Sequence, residues 1–476
     1  MALAIIIIYM LALFFTSWYS TRLQKKGSSK AFLFADQKLG TLLVGVTIAG
    51  LAIGGTSTTG VAQNAYSSGL SAAWYDVAWA MGALLMAFCF AGKLRKAGFK
   101  TINGMWNHLF GKSFQTLGLV IQLVTQVTIV ALQVIAGGTI LNAVIPSVSY
   151  ELGLIISICI LCFIAVVGGM WSTALTNVIN VVLIYAGLII GCIVAVTQYG
   201  GFETITAALP AGKSGDGSHW WDLVTGMGPA AICAWCLTML LQASPSASTI
   251  QVAISAKSEK SAKNGFVLGA ILMIPAGFIS AIFGIIAAGF FPELEGNAAM
   301  SMAAVTATLN PVVCGLLLAG VMAACISTAS GLLVSLSTMT TNDFILRFFK
   351  PDMADEKQVV ASRWIIVAYS AAAYVIATQV SSILGAIMSV LSLWAPYTIL
   401  MFGVFFFSRT LKKSSGWVVF GLGIVTFVLC KFISPSLSIA GQPIYTVFVV
   451  SLAAYILCAI FDKRVCFEGE YKYQEV

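Results

Sequence analysis

Gly50-Leu51-Ala52-Ile53-Gly54-Gly55-Thr56-Ser57-Thr58-Thr59-Gly60 interrupts an otherwise apolar run from about Leu42 to Gln63. A second run, from about Val224 to Ala253, is interrupted by Gln242-Ala243-Ser244-Pro245-Ser246-Ala247-Ser248. In hydrocarbon an unpaired backbone group costs several kcal/mol, so non-helical backbone persists at that depth only where it lines a cavity or meets a ligand. Two such interruptions at matching places of two successive halves point to the midplane site of a carrier for small solutes.

Composition agrees with a membrane setting. Of 476 residues, 59% are hydrophobic and 9% charged, with a mean hydropathy of +0.97. That is too little polar surface for a water-soluble globule. Windows of about 20 apolar residues cross a bilayer core of about 30 Å. About thirteen are expected, at 2–20, 42–64, 71–92, 116–145, 152–168, 173–196, 222–252, 264–290, 304–338, 361–380, 383–407, 416–433 and 443–461. The fold class predicted is an all-α polytopic membrane protein.

The net charge of +8 is spread over alternate loops, which gives no patch for a nucleic acid. Arg22, Lys25, Lys26, Lys30 and Lys38 follow the first span, and Lys93, Arg95, Lys96, Lys100 and Lys112 follow the third. Lys257, Lys260 and Lys263, then Arg347, Lys350, Lys357 and Arg363, then Arg409, Lys412 and Lys413, then Lys463, Arg464 and Lys472 fall on the same side if spans alternate. Lys213 and Lys431 fall opposite. The positive-inside rule makes the crowded side cytoplasmic, with the N-terminus outside and the C-terminus inside a plasma or inner membrane. No Lys or Arg precedes the first apolar run and a basic cluster follows it, so a retained helix is expected there instead of a cleaved signal.

The eleven cysteines lie almost wholly in apolar spans, and neither Cys159-x-x-Cys162 nor Cys233-x-x-Cys236 has a partner pair in a loop. Packing explains them better than metal or redox work. Both histidines, His108 and His219, fall in loops, and no nucleotide-binding loop, zinc set or catalytic triad can be assembled. Neither an enzyme nor an ATP-driven pump is expected, and no transition metal. The segment 200–222 reads as a long, flexible external loop, and 341–363 as a solvated, charged connector.

The chemistry must then come from polar groups inside the spans. The first break supplies carbonyls between Gly50 and Ile53 and hydroxyls of Thr56, Ser57 and Thr59, a hard oxygen set suited to Na⁺. A packing groove of small residues is the plainer alternative. Ser327 and Ser330 share a helix face with Thr328 beside them, and can either complete an oxygen shell or bond back to their own carbonyls. Asp76, an acid within a span, is a candidate ligand for a hydroxyl or ammonium group of the solute, or a carboxyl reached by water. Gln242 at the second break can close over a solute or bond freed backbone.

Gly168-Gly169-Met170-Trp171-Ser172-Thr173-Ala174-Leu175-Thr176-Asn177-Val178-Ile179-Asn180 resembles the Gly-Gly-x-Trp-x-x-x-x-Thr-Asp-x-x-Gln signature of the sodium:solute symporter family. Gln251 through Ala256-Lys257-Ser258 followed by Lys260-Ser261-Ala262, then Asn342-Asp343-Phe344, and Gly69-Leu70-Ser71-Ala72-Ala73-Trp74 carry the resemblance further, the last toward its proline-transporter branch. The resemblance implies a leucine-transporter-like fold of inverted five-helix repeats. Its parts would be an extra N-terminal helix and linker (1–40), a first repeat (41–199), an external loop (200–221), a second repeat (222–410) and two trailing helices with a tail (411–476).

The same resemblance implies a Na⁺ site built from the carbonyls of Gly50, Ile53 and Ala324 and the hydroxyls of Ser327 and Thr328. Thr56, Ser57, Asp76 and Gln242 are the expected solute contacts. Asn177 stands where the signature has Asp, and Gly331 where some members carry a hydroxyl, so one Na⁺ per solute is expected. The function expected is Na⁺-coupled uptake of a small polar solute, with an amino acid, amine or hydroxyl-rich compound favoured. A proton-coupled or uncoupled carrier with Asp76 titrating is the alternative on the same fold. From another class, a membrane sensor would need an appended signalling domain, for which the tail after Ile460 reads as too short, and a channel would want a continuous polar pore, which isolated breaks do not supply.

Overall fold

The computed structural model describes residues 1–23, 27–144, 147–211, 218–379 and 391–466. Among them the chain is helical throughout, and isolated bridges such as Leu39 with Ala256 stand in place of strands. The helices are α1 (Ala2–Leu23), α2 (Ser29–Phe34), α3 (Thr41–Ala52), α4 (Val61–Ser68), α5 (Trp74–Leu85), α6 (Ala91–Ala97) and α7 (Ile102–Phe110). There follow α8 (Lys112–Val144), α9 (Tyr150–Gln198), α10 (Gly201–Ala208), α11 (Pro229–Ala243), α12 (Ala247–Ser255) and α13 (Glu259–Phe290). The last are α14 (Ser301–Ala307), α15 (Pro311–Met339), α16 (Asp355–Ala377), α17 (Trp394–Phe406), α18 (Ser415–Val428) and α19 (Pro443–Phe461).

Nine stretches among the described residues are long and apolar enough to span a bilayer, or ten if α11 and α12, bent by 49°, form one broken span. Each interruption has a local cause. Pro245 offers no N–H to continue α11, and α12 restarts behind Ser246. The 49 residues of α9 would run about 74 Å if straight, far more than one crossing. They turn at Gly169, where φ 52° and ψ −139° are open only to glycine and a Cβ would lie 2.3 Å from the Phe32 carbonyl oxygen.

Packing sorts the helices into two groups. α13 lies along α3, α4 and α5, and α5 packs on α11. α15 lies along α9 and α8, with α16 and α1 covering α8 and α9. Without a hydrophobic drive between helices in lipid, small residues set how closely they approach. Gly265 and Gly269 of α13 admit Val44 and Ile48 of α3, and Gly187 of α9 lies against the backbone of Leu316 on α15. The breaks of α3 and of α11–α12 fall in the first group, and α3 meets α15 and α9 of the second.

Several expectations are corrected. The first break is short: α3 runs to Ala52, the backbone leaves the helix at Ile53 to Gly55, and Thr56–Gly60 is a π-helical turn. Thr58 and Thr59 turn their hydroxyls back onto the carbonyls of Gly54 (3.0 Å) and Gly55 (2.8 Å), which lets the helix resume. The stretch 200–222 carries α10, and Trp220 is buried against Gly69; its residues 212–217 lie outside the described set. The start of 341–363 is no solvated connector: α15 continues as a π-helical Thr340–Phe349 with Thr341 and Asp343 buried. Asp343 accepts hydrogen bonds from Thr101 (2.5 Å) and Asn103 (3.2 Å) of the α6–α7 region, and that pairing makes burial tolerable. The boundary expected between 361–380 and 383–407 falls on residues outside the described set.

Candidate functional site

Where α3 unwinds it faces α15 directly. Thr328 donates its hydroxyl to the Gly50 carbonyl at 2.9 Å, and Ser327 donates to the Ala324 carbonyl at 2.8 Å. Of the residues that the family resemblance groups in one ion site, Gly50 and Thr328 are therefore joined across the two helices, while Ser327, packed against Gly50, bonds back to its own helix at Ala324. All four are buried. Ile53, the next expected member, caps α3 with φ −77° and ψ 78°, outside the helical region. A hydroxyl that donates to a carbonyl keeps lone pairs for a cation, so the donor set fits a hard ion.

Glycine is required at this crossing. A Cβ on Gly54 would lie 2.5 Å from Thr328 Oγ1 and 2.7 Å from Gln133 Oε1, and one on Gly55 2.3 Å from the Ala136 Cβ. Gln133 of α8 also accepts the freed Gly55 N–H at 2.7 Å. Sequence reasoning missed this partner, although a fully buried amide on a spanning helix is itself a signal.

A small cavity of about 20 Å³, room for about one water molecule, lies beside the cluster. Thr56, Gln242, Ser246 and Ser248 supply its polar wall, Tyr75 and Trp79 its aromatic wall, and Thr328 joins it to the oxygen cluster. Both breaks thus border one space. Trp235 stands edge-on behind Tyr75, with ring centroids 5.9 Å apart, and the Tyr75 hydroxyl donates to Thr56 at 3.1 Å. Gln242 Oε1 is buried with no hydrogen-bond partner among the described residues. Tyr75 and Trp79 were also missed, because an aromatic pair on a spanning helix reads as packing.

Ser57 and Asp76 are placed differently from expectation. They hydrogen-bond to each other and sit outside the cavity lining. Asp76 is fully buried against α13, where a Cβ on Gly277 would lie 2.6 Å from its Oδ2. The reason is helical phase: Tyr75 and Trp79, four apart, share the cavity face, and Asp76 lies about 100° around from Tyr75.

Asn177 approaches from α9. A Cβ on Gly50 would lie 2.8 Å from its Nδ2, which has no partner among the described residues, while its Oδ1 accepts from Asn180 at 3.2 Å. Tyr9 of α1 donates to Asn180 at 2.8 Å. An amide N–H₂ turned toward the cluster brings no negative charge to it.

At the basic end of the molecule the second break is tied down. Gln251 of α12 donates to the Leu33 carbonyl (2.6 Å) and to Thr338 (2.7 Å), Arg95 donates to the Ala256 carbonyl (2.6 Å), and Leu39 pairs with the backbone beside Ala256.

Comparison with known proteins places this arrangement in a family. The profile of the sodium:solute symporter family matches residues 32–416. The osmoregulated proline transporter OpuE of Bacillus subtilis is 22% identical over 477 residues, covering 96% of this chain and 94% of that protein. A sodium/proline symporter of Haemophilus influenzae is 25% identical over 370 residues, 74% of this chain and 72% of that protein. The human high affinity choline transporter 1 is 26% identical over 192 residues, 39% of this chain and only 33% of its own length. Among solved structures, a Na⁺-coupled sialic acid symporter in a substrate-bound outward-open state superposes with a TM-score of 0.77 at 17% identity, covering 96% of each chain. A profile that spans most of the sequence, on a fold shared with a known symporter, leads to one conclusion: the chain belongs to the sodium:solute symporter family.

Proposed function

We propose that this protein carries one Na⁺ inward with each molecule of a small, neutral or zwitterionic solute by alternating access. The observation that carries the reading is the meeting of Gly50, Ala324, Ser327 and Thr328 where α3 unwinds against α15. Na⁺ held there bridges the two helix groups, so it favours one arrangement of them over the other. A ligand shifts such an equilibrium only by its difference in affinity between the two states. Na⁺ organises the outward-facing arrangement, and the solute completes closure through Gln242. Asn177 and Gly331 supply no carboxylate or hydroxyl for a second ion, which supports the ratio of one.

The cavity wall contains no ionised side chain, which disfavours a multiply charged solute. Its backbone ends are polar in opposite senses. Ala52 lies at the C-terminus of α3, the negative end of that helix, and Ser246 and Ser248 lie at the N-terminus of α12, the positive end. An amino acid, with ammonium and carboxylate on one small body, matches both ends once the helix groups part far enough to admit it. A hydroxyl-rich solute fits the same hydrogen-bonding groups, and an amine would use the negative end alone.

The basic loops support an N-terminus outside and a C-terminus in the cytoplasm, with about thirteen spans. Repeats at 41–199 and 222–410, between a leading segment 1–40 and trailing helices at 411–476, account for the two breaks as symmetry mates across the 200–221 segment. On this reading the Gln251, Arg95 and Leu39 contacts close the cytoplasmic side.

Uptake of labelled L-proline and other amino acids into proteoliposomes tests the coupling. Uptake should require Na⁺, with K⁺ and choline inactive, should saturate hyperbolically with Na⁺, and should move one charge per zwitterion. Equal uptake in Na⁺ and choline overturns the ion site, and two Na⁺ per solute overturns the ratio. A proton-coupled reading has one observation in its favour, the buried Asp76 Oδ2 with no partner among the described residues. Uptake driven by a pH gradient in choline would select it.

A further inference from the structure

Gln115, Gln122, Gln126 and Gln133 are all fully buried on α8, at successive spacings of seven, four and seven residues. That spacing keeps them on one helix face. Gln133 meets the first break through Gly55 N–H. One turn below, Ile129 forms part of the cavity wall. Gln122 donates to the Pro245 carbonyl of the second break at 3.3 Å, and Gln115 reaches the Asp343 backbone carbonyl at 3.5 Å. The face therefore runs from the cavity to the cytoplasmic end of α15.

Gln126 lies on α8 between Ile129 of the cavity wall and Gln122 at Pro245, and neither its Nε2 nor its Oε1 has a partner among the described residues. Gln122 Oε1 and Gln115 Oε1 on the same row, and Asn103 Oδ1 on α7, are likewise unpaired among the described residues. A buried polar group left unpaired costs about 1–3 kcal/mol, and a wall needed only for packing would be filled by Leu. Along α8 the unpaired atoms continue from Gln126 through Gln122 to Gln115, which meets Asp343 as Asn103 does. At the basic end, beside the Gln251 tether, a cleft opens between Leu33, Ile254 and Asn342, with Lys30, Arg95 and Asp355 also on its wall.

Resting on the carrier reading above, we propose that this amide face of α8 is the solute's cytoplasmic release path, and that Gln126 is a transient solute-binding site on it. The path opens when α12 leaves Leu33. Amides suit the task because each offers a donor and an acceptor without a fixed charge. A neutral or zwitterionic solute can then pass from one amide to the next without being trapped by an ion pair.

Two measurements test the proposal. In a background whose eleven native cysteines are replaced, Gln126→Cys in inside-out vesicles is exposed to a charged methanethiosulfonate reagent, with Ser248→Cys on the cavity wall as control. Gln126→Cys should react in Na⁺-free buffer, and saturating Na⁺ should slow the reaction at least about fivefold by shifting the population outward. If Ser248→Cys responds to Na⁺ and Gln126→Cys never reacts, the release path is wrong and the carrier reading stands. If neither responds to Na⁺, the carrier reading fails and takes the path with it. In the otherwise unaltered protein, Gln126→Leu should leave the melting temperature unchanged or raised while slowing L-proline or other amino-acid release from preloaded proteoliposomes. A melting temperature lowered by several degrees would mean that the amide is structurally satisfied, which overturns the proposal.

Discussion

The two broken spans solve the same problem in different ways. At the first break the freed groups are met by side chains of the facing helix group: Gln133 takes the Gly55 N–H and Thr328 the Gly50 carbonyl. At the second break one longer bond crosses the boundary, from Gln122 of α8 to the Pro245 carbonyl (3.3 Å), and the other contacts are more local. Thr249 reaches back to the carbonyls of Ala243 (2.6 Å) and Ser246 (2.8 Å), Thr398 bonds the Leu241 carbonyl, and Gln242 Oε1 is left open. The first break is pinned across the boundary between helix groups and suits an ion that bridges them. The second is held mainly within its own neighbourhood, by the longer Gln122 bond and by a tether at the basic end of the molecule, which suits a gate that moves. Preorganised oxygen and a movable half-helix are different physical requirements, and the chain assigns one to each break.

The largest effect expected comes from adding one methyl group. Gly55→Ala places a Cβ 2.3 Å from that of Ala136, and relieving such overpacking costs about 1–3 kcal/mol. Na⁺-dependent uptake should fall roughly 10- to 100-fold at equal membrane abundance. Ser246→Ala at the second break should cost less than about threefold. Equal losses would dissolve the contrast.

Next in size is a split between ion and solute. Thr328→Ala and Ser327→Ala should each raise the Na⁺ concentration for half-maximal uptake about tenfold, the equivalent of 1.4 kcal/mol. Gln242→Leu should weaken solute binding by a similar factor while ²²Na⁺ binding without solute stays unchanged. A Gln242 variant that loses Na⁺ binding would mean that the two breaks act as one site.

A smaller effect is expected at the tether. Gln251→Leu removes hydrogen bonds to Leu33 and Thr338, which biases the protein toward opening on the cytoplasmic side. Apparent Na⁺ affinity from outside should fall about three- to tenfold through that coupling, with the ion site itself untouched. Hydrogen exchange in α12 should rise in the same variant, and unchanged exchange would remove Gln251 from the gate.

The smallest change is expected at Asp76. Because it faces Ser57 and Gly277 instead of the cavity, Asp76→Asn should alter uptake of neutral and cationic solutes by the same factor, within about threefold, since Asn retains an acceptor for Ser57. Selective loss of cationic solutes would show that the carboxylate turns inward during the cycle.

Much of this was written along the chain. Apolar run length and the scarcity of charge are one-dimensional properties, and they decided a helical membrane protein. Small and polar residues inside two spans marked the breaks, because hydrocarbon makes unsatisfied backbone costly wherever it occurs. The Ser327-Thr328 pair became meaningful only beside a family signature, since hydroxyls on an isolated helix are equally suited to bonding their own carbonyls. Tertiary structure decided what faces what. It joined Gly50 to Thr328 across 278 positions of sequence, and helical phase turned Asp76 away from the cavity that its chemistry suggested. It brought in Gln133, Tyr75 and Trp79, and it buried Asp343 in a segment whose charges read as a solvated connector. Composition fixes which solvent a segment tolerates, whereas the direction of a side chain depends on helix rotation and on which helices are adjacent, and those are set only when the whole bundle packs.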